Sequence, residues 1–509
     1  MVRRKGSLGW LIVMIVSTVV FVSCTSANAV VRMDDNYRVF YEIFIASFYD
    51  SDGDGIGDLK GILQKFDYLN SNGEKPSLEI SGIWLMPLMS SPSYHKYDVT
   101  DYYQVDPVYG TMDDFVALAD RCNQQNVKLI IDLPINHTSD QHPWFLSAVS
   151  GDPIYRNYYH FRSDFASGYH QTGPSDYYEG RFTSSMPDLN LDNVQLREEI
   201  LKICKFWLDA GADGFRLDAV AWFFSGNTAK NVEFLQWLND ELRAYDHDVY
   251  LVGEAWSDGQ TILDLYQSGI PSLFNFPFSQ STGLLITSVR SGKGAELSAS
   301  LGRWYEQLPE SAIDAPFLTN HDHARSAGAL MGDVNLQKMA AAVYLLLPGN
   351  PFMYYGEEIG MRGSGRDENK RTALYWSNSD TKGMTKSPQY ADDIRPVDAP
   401  IDQQLKQRDS LLNAYRSIIA IKNRHSALGR GTFTAVETAY PAICAYTVAY
   451  QDKTLMVVHN LANEKCELPA ETLELLERFS ALKELPSLSK GILKMPPYST
   501  AVVEVVGNR

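Results

Sequence analysis

Gly214-Phe215-Arg216-Leu217-Asp218-Ala219-Val220 is apolar at both ends, yet carries an arginine two residues before an aspartate. In a strand these two side chains point to the same face. Burying such a pair is costly unless hydrogen bonds satisfy it. On this run alone, a structural ion pair at a strand end and an active-site pair both stand. The wider chain favours the second. Asp132, Asn136, His137, Glu254, His321 and Asp322 each sit where an apolar, strand-like run meets a loop. Catalytic groups lie at such junctions when several strands of one barrel end on a common face.

Outward from that run, strand-like and helix-like segments alternate. Strands are expected over residues 37–48, 80–88, 127–133, 214–220, 249–255, 272–276, 315–319 and 352–355. Helices are expected over 59–69, 112–125, 196–210, 231–244, 295–307, 335–347 and 403–422. Repeated βα order predicts a parallel sheet, and eight strands predict a (β/α)8 TIM barrel rather than an open doubly wound sheet. The rhythm stops between 137 and 195, a stretch dense in Tyr, His, Asp, Gly and Pro and too long for an ordinary connection. It reads as an inserted domain. From about Gly429 short alternating apolar runs predict a C-terminal antiparallel β domain. The expected division is a signal segment over 1–29, barrel over 30–136, insert over 137–195, barrel again over 196–425, and β domain over 426–509.

The chain has 509 residues, of which 45% are hydrophobic and 12% aromatic, and a formal net charge of −17. That charge argues against a nucleic-acid partner and against docking on anionic lipid. Arg3, Arg4 and Lys5 precede an apolar run over 8–22 and then small residues, the order of a secretory signal. Phe21-Val22-Ser23-Cys24 resembles a relaxed lipobox, which would lipidate Cys24 and tether the protein to a membrane; Ala27-Asn28-Ala29 fits simple cleavage. The lipoprotein reading is preferred. An uncleaved anchor is the third option, against which the run is short for a span of about 20 residues. In each case the body lies outside the cytoplasm, in the cell envelope or secreted. Cys122, Cys204, Cys444 and Cys466 show no zinc spacing and read as buried apolar thiols.

Two constellations carry chemistry. Asp50-Ser51-Asp52-Gly53-Asp54-Gly55-Ile56-Gly57-Asp58 sets carboxylates at alternate positions, with glycines that let the backbone fold round a centre. It matches the start of a calcium loop but lacks the closing glutamate of an EF-hand. A solvated acidic turn is the plainer alternative; four aspartates at this spacing favour a metal, with Asp50, Asp52, Asp54, Asp58 and a main-chain carbonyl as ligands. In the second constellation, Asp218, Glu254 and Asp322 end different strands of the expected barrel. Acetal hydrolysis with retention needs two carboxyl groups about 5–5.5 Å apart, one nucleophile and one proton donor. Asp218 beside Arg216 suits the nucleophile. Glu254, in the apolar setting Leu251-Val252-Gly253-Glu254-Ala255-Trp256, should have a raised pKa and suits the acid/base. Asp322, His137 and His321 would hold sugar hydroxyls.

These residues resemble the α-amylase family of glycoside hydrolases. Its ordered motifs match Asp132-Leu133-Pro134-Ile135-Asn136-His137, Gly214-Phe215-Arg216-Leu217-Asp218, Gly253-Glu254-Ala255-Trp256 and Phe317-Leu318-Thr319-Asn320-His321-Asp322. The resemblance implies Asp218 as nucleophile, Glu254 as acid/base and Asp322 as transition-state stabiliser, with Arg216, His137 and His321 binding substrate. It also implies that Tyr97 stacks on the sugar beside the nucleophile, that the insert follows the third strand, that the C-terminal domain is a β-sandwich, and that Ca2+ is bound by Asp50, Asp52, Asp54, Asp58 and the carbonyl of Ile56. Asn136 resembles a calcium ligand of many amylases, but no partners for it are recognisable in the insert, and no metal is assigned there.

Met186-Pro187-Asp188-Leu189-Asn190 resembles the signature of a group intermediate between oligo-1,6-glucosidases and neopullulanases. Exo-acting glucosidases carry an aspartate three residues before the stacking tyrosine; here that position is Tyr94, which implies an open cleft. Where many α-amylases have a lysine and a histidine, this chain has Ala221 and Trp222. The expected function is a retaining, endo-acting α-amylase that cleaves α-1,4 bonds in maltodextrins through a covalent glycosyl-enzyme. The alternatives are an exo-acting α-glucosidase or neopullulanase-like hydrolase with transglycosylation, and a non-enzymatic, membrane-anchored ectodomain of this fold. The retained Asp218, Glu254 and Asp322 argue against the last. Trp222, Phe223, Trp256, Tyr158 and Tyr159 are candidates to stack on glucose rings, although most aromatics in such a chain are core.

Overall fold

The computed structural model describes residues 36–392, 397 and 399–506. The expected signal, the competing cleavage sites and Cys24 lie outside the described residues. Seven parallel strands form the central sheet: β1 (Phe40–Ile43), β2 (Gly82–Leu85), β3 (Lys128–Leu133), β4 (Gly214–Leu217), β5 (Tyr250–Gly253), β6 (Ser272–Leu273) and β7 (Phe352–Tyr354). Their spatial order is β6-β5-β4-β3-β2-β1-β7. The gap between β6 and β7 is closed by the segment at 315–317, which bridges in parallel from Ala315 to Phe274 and from Phe317 to Phe352. The ring is therefore a (β/α)8 barrel in which one stave is reduced to bridges. Pro316 explains the reduction, since it has no amide to give to the ladder; its carbonyl still accepts from Phe352 N at 2.9 Å.

The strands are short and buried on both faces, as a covered parallel sheet demands. Elements expected to be continuous are broken where local geometry interrupts them. The helix expected over 59–69 divides into Leu59–Gln64 and Phe66–Leu69 at Lys65, whose ammonium lies over the rings of Tyr49 (4.2 Å) and Trp376 (4.7 Å). The one expected over 403–422 becomes Ile401–Gln404 and Leu411–Arg424, the second opened by Ser410, whose side chain accepts from Asn413 N. A helix over Leu284–Ser291, closed by left-handed Gly292, precedes Gly294–Tyr305 and was not expected.

After β3 the chain leaves the barrel for two short helices, Pro143–Val149 and Pro153–Arg156, and a three-stranded antiparallel sheet of Phe161–Arg162, Tyr169–Gly173 and Asp176–Glu179. A bridge from His137 to Asp188 ties the return of this insert to its exit. Beyond residue 431 five antiparallel strands face a second sheet of three. Ile443, Val458, Leu468, Leu493 and Val503 form a separate core between them, so the domain is a sandwich. All four described cysteines are free and buried.

Candidate active site

Arg216 projects from β4 and is fully buried. Its Nη1 donates to Asp132 Oδ1 at 2.8 Å and to Asp218 Oδ1 at 2.5 Å, and its Nη2 stands 3.8 Å from Glu254 Oε2. Asp132 comes from β3, Asp218 from the end of β4 and Glu254 from the end of β5, so three neighbouring staves deliver their carboxylates to one guanidinium. The rings of Trp84 (5.2 Å) and Tyr97 (5.8 Å) pack against it. One cation cannot neutralise three carboxylates. The structure therefore divides them: Asp218 holds the short contact, while burial, with Asp218 and Asp322 nearby, lifts Glu254 to about 8 against the pull of Arg216. Burial likewise lifts Asp132 to about 6.

Directly after Asp218 the backbone of Ala219 is left-handed (φ 52°), a conformation costly for a residue with a Cβ. That turn aims the Ala219 amide at Glu254, whose Oε2 accepts from it at 2.8 Å. The backbone next to Asp218 is thus tied to Glu254 by one hydrogen bond, and the second Glu254 oxygen is left for a proton.

Asp322 follows the bridge segment. Its Oδ1 accepts from Arg371 Nη2 at 2.9 Å, and its Oδ2 lies 3.1 Å from His321 Nε2. Burial opposes its charge, but His321, Arg371 and Arg216 together hold it well below the usual carboxylate range. His321 also contacts Glu42 Oε1 through Nδ1 at 2.5 Å. Although burial works against its proton, Asp322 and Glu42 raise it to about 9, so it is an imidazolium. Tyr97 stacks on His321 (5.5 Å, 20°) and donates to Asp132 Oδ2 at 2.9 Å. His137 is buried with its Nε2 unpaired, and burial keeps it neutral.

A cavity of about 520 Å³ opens over Asp218, Glu254 and Asp322, with Tyr97 and His137 in its wall. All seven catalytic and sugar-binding candidates thus meet at the strand ends: six of them at hydrogen-bond or ion-pair distance of one another, and His137 in the same wall. Of the five aromatic candidates, Trp222 and Trp256 line the cavity. Phe223, Tyr158 and Tyr159 do not; they are buried, Phe223 against Phe234 and the tyrosines against Trp144 and Phe145. Three residues escaped sequence reasoning. Glu42, Arg371 and Phe182 lie in no motif, and the first two reach the site only through contacts 279 and 49 residues apart in the chain. The apolar, Glu-bearing end of β1 was a faint signal for Glu42.

A model of the α-amylase catalytic domain matches residues 42–431, and one of the α-amylase SusG C-terminal domain matches 443–502. The chain belongs to the α-amylase family of glycoside hydrolases. It is 38% identical to α-amylase 3 of Dictyoglomus thermophilum over 92% of this chain and 93% of that one. It is 29% identical to the oligo-1,6-glucosidase of Parageobacillus thermoglucosidasius over 84% and 90%. The solved structure of Eubacterium rectale Amy13B superposes with a TM-score of 0.89 at 40% identity, covering 94% of this chain and 97% of that one.

Apart from the cleft, the loop after β1 gathers acidic groups. One oxygen each from Asp50, Asp52 and Asp58 lies within 4.8 Å of the others. Asp50 organises the turn: its Oδ1 accepts from the amides of Asp52 (3.0 Å) and Gly53 (2.6 Å), its Oδ2 from Gly55 (2.7 Å). Burial opposes the ionised form of Asp50, but these amides lower its pKa overall. Asp58 also caps the helix Leu59–Gln64 by accepting from Gly61 N at 2.7 Å. Asp54 stands outside the cluster, its carboxylate accepting from Ile56 N at 2.6 Å. Clustered hard carboxylate oxygens fit a calcium ion.

Proposed function

We propose that the protein is a retaining, endo-acting α-amylase acting on α-1,4-linked maltodextrins. The observation that carries this reading is the division of labour round Arg216: one carboxylate in short contact with the guanidinium, the other pushed up to about 8. Asp218 attacks the anomeric carbon while Glu254 passes its proton to the departing glycosidic oxygen. The resulting glycosyl-enzyme is hydrolysed by a water that Glu254, now ionised, deprotonates. Asp322, held ionised by Arg371 and His321, accepts from sugar hydroxyls and favours the positively charged transition state. Tyr97 and neutral His137 bound the sugar beside the nucleophile.

Endo action is supported by Tyr94, whose hydroxyl meets Arg371 Nη1 at 3.2 Å. An acidic side chain at that position would pair with that arginine and hold the end of a chain; the phenol puts no anion there, and Asp367, 3.8 Å from Arg371 Nη2, is an acidic neighbour of Arg371 in the cavity wall. Asp50, Asp52 and Asp58, with the Ile56 carbonyl and Asp54 as further candidates, would hold calcium, which when bound supplies positive charge that stiffens the loop after β1. Export, with a lipid on Cys24, completes the proposal.

The test is digestion of a maltoheptaose blocked at its non-reducing end beside an unblocked one. Cleavage of both to short maltodextrins is expected. Cleavage of the free-ended substrate alone, with release of glucose, would make the protein an exo-acting α-glucosidase and overturn the endo reading.

A further inference from the structure

A second cavity, of about 490 Å³, lies where the C-terminal domain meets the barrel and shares no residue with the catalytic cleft. Its wall takes Lys338 from the helix Val334–Leu345, Arg408 and Asp409 from the turn before the helix Leu411–Arg424, and Arg478 and Lys483 from the strand Leu473–Ser480 and the loop after it. Four of these side chains are cationic and one is acidic. The whole chain has the opposite balance, 62 acidic residues to 45 lysines and arginines. The cavity therefore gathers positive charge on a protein that is negative overall.

Exposed cations are commonly no more than a solvated surface, but Lys338 is only 6% exposed. Its ammonium donates to the main-chain carbonyls of Asp409 (2.7 Å) in the barrel and Ala481 (3.4 Å) in the C-terminal domain. Two carbonyls occupy two of its three hydrogens and leave its charge uncompensated. Burial works against that charge, and Asp409 counters it. Arg408, Arg478 and Lys483 have no ion pair among the described residues. The helix Leu411–Arg424 starts at this wall with its cap Ser410, and its positive end adds to the field. Ser480 Oγ accepts from Leu482 N at 3.2 Å and keeps its own proton to give. Beside the cations, buried Phe479 and exposed Leu482 and Leu485 form an apolar face.

We propose that this cavity binds a soluble phosphorylated sugar, with Arg408, Arg478, Lys483 and the remaining hydrogen of Lys338 on the phosphoryl oxygens and the apolar face against the sugar ring. Guanidinium forks match phosphoryl geometry. A phosphate monoester of about −2 charge meets the surplus of four cations over one acid better than a single carboxylate does. With Phe479 buried, the wall offers no exposed aromatic ring to a base, which argues against a nucleotide. The net charge of −17 opposes approach to an anionic bilayer, which argues for a free sugar phosphate over a lipid headgroup. Bound there, the ligand fastens the C-terminal domain to the barrel across the contact that Lys338 already makes. The inference is independent of the reading of the catalytic cleft.

The test is calorimetric titration of the full chain with glucose 6-phosphate at constant ionic strength, beside inorganic phosphate and vesicles of phosphatidylglycerol. Glucose 6-phosphate should bind about fivefold or more tighter than inorganic phosphate, which lacks the apolar contact. Arg408→Gln combined with Arg478→Gln should weaken glucose 6-phosphate binding by about tenfold or more, the scale of lost charge-assisted hydrogen bonds. Asp409→Asn should tighten it about twofold, by removing the one anion in the wall. Lys483→Gln alone should weaken it about threefold, a readout that stands even where the double variant does not fold. Rates on maltopentaose should stay unchanged in all of them. No binding of glucose 6-phosphate by the unmodified protein, or undiminished binding by the double variant and by Lys483→Gln, would overturn the site. Inorganic phosphate bound as tightly as glucose 6-phosphate would overturn the sugar part of the assignment. Sedimentation with the vesicles that Lys483→Gln loses, without binding of free glucose 6-phosphate, would overturn the soluble source and give the cavity to a lipid headgroup.

Discussion

Arg216 has no exposure to solvent, and its guanidinium is shared by Asp132, Asp218 and Glu254. A guanidinium stripped of water survives only with such partners, and burial, helped by the neighbouring Asp218 and Asp322, keeps a proton on Glu254 against the pull of Arg216. Because its folded pKa lies near 8, above the unfolded value of about 4.3, Glu254 costs stability increasingly as pH rises from 4.3 toward 8. The same shift sets activity: kcat/KM on maltopentaose should fall as pH rises through about 8, when the acid is lost. For α-maltosyl fluoride, whose departure needs no proton, that limb should be absent until His321 loses its proton near 9. An identical limb on both substrates would assign it to another group. Arg371 is the second residue under test. Arg371→Met removes one of the two charged partners of Asp322 and should lower kcat on maltopentaose by roughly 10²-fold, the scale of one lost electrostatic contact in a desolvated site; wild-type kcat would contradict this. Arg216 and Asp218 were legible in the sequence because a strand places residues i and i+2 on one face. Arg371 was not, since nothing local marks an arginine whose partner lies 49 residues back.

At the scale of elements, the loop after β1 carries its own prediction. Asp50, Asp52 and Asp58 are brought together by amides and by a helix cap rather than, among the described residues, by a basic side chain. Chelation should lower the melting temperature and expose the loop at 50–58 to proteolysis, and calcium should reverse both. A ligand held at a hundred times its Kd stabilises by about 2.7 kcal/mol. Asp52→Ala, an exposed position, should abolish the response to chelator; Asp58→Ala is a poorer probe, because it also removes a helix cap worth about 1 kcal/mol. An unchanged melting curve on chelation would dismiss the metal. Spacing alone revealed this cluster, but not that Asp54 stands outside it. Pro316 shows the converse: an apolar run that reads as a strand forms only bridges, because a missing amide outweighs its pattern.

Across the whole molecule, barrel order and the antiparallel C-terminal domain follow from patterns of period two and 3.6, which burial on one or both faces enforces; the insert shows as a break in that rhythm, and the sandwich was implied by the family resemblance. What the patterns omit is closure. The contact of Glu42 on β1 with His321, and the hydrogen bond of Arg181 in the insert to Ser225 on the loop after β4, join elements far apart in sequence. The proposed route of export is read at this scale too. Mass analysis of the mature N-terminus should find an acylated Cys24, and an unmodified start at Val30 would replace the lipoprotein with a secreted enzyme.

The central claim is that Asp218 forms a covalent bond to the sugar while Glu254 serves as acid and base. It is tested most directly by incubation with a 5-fluoro-α-glycosyl fluoride, which slows breakdown of the intermediate, followed by peptide mass mapping. The account predicts one added glycosyl mass on the peptide that carries Asp218. A label on the peptide carrying Glu254, or turnover to product of inverted anomeric configuration with no label, would contradict it.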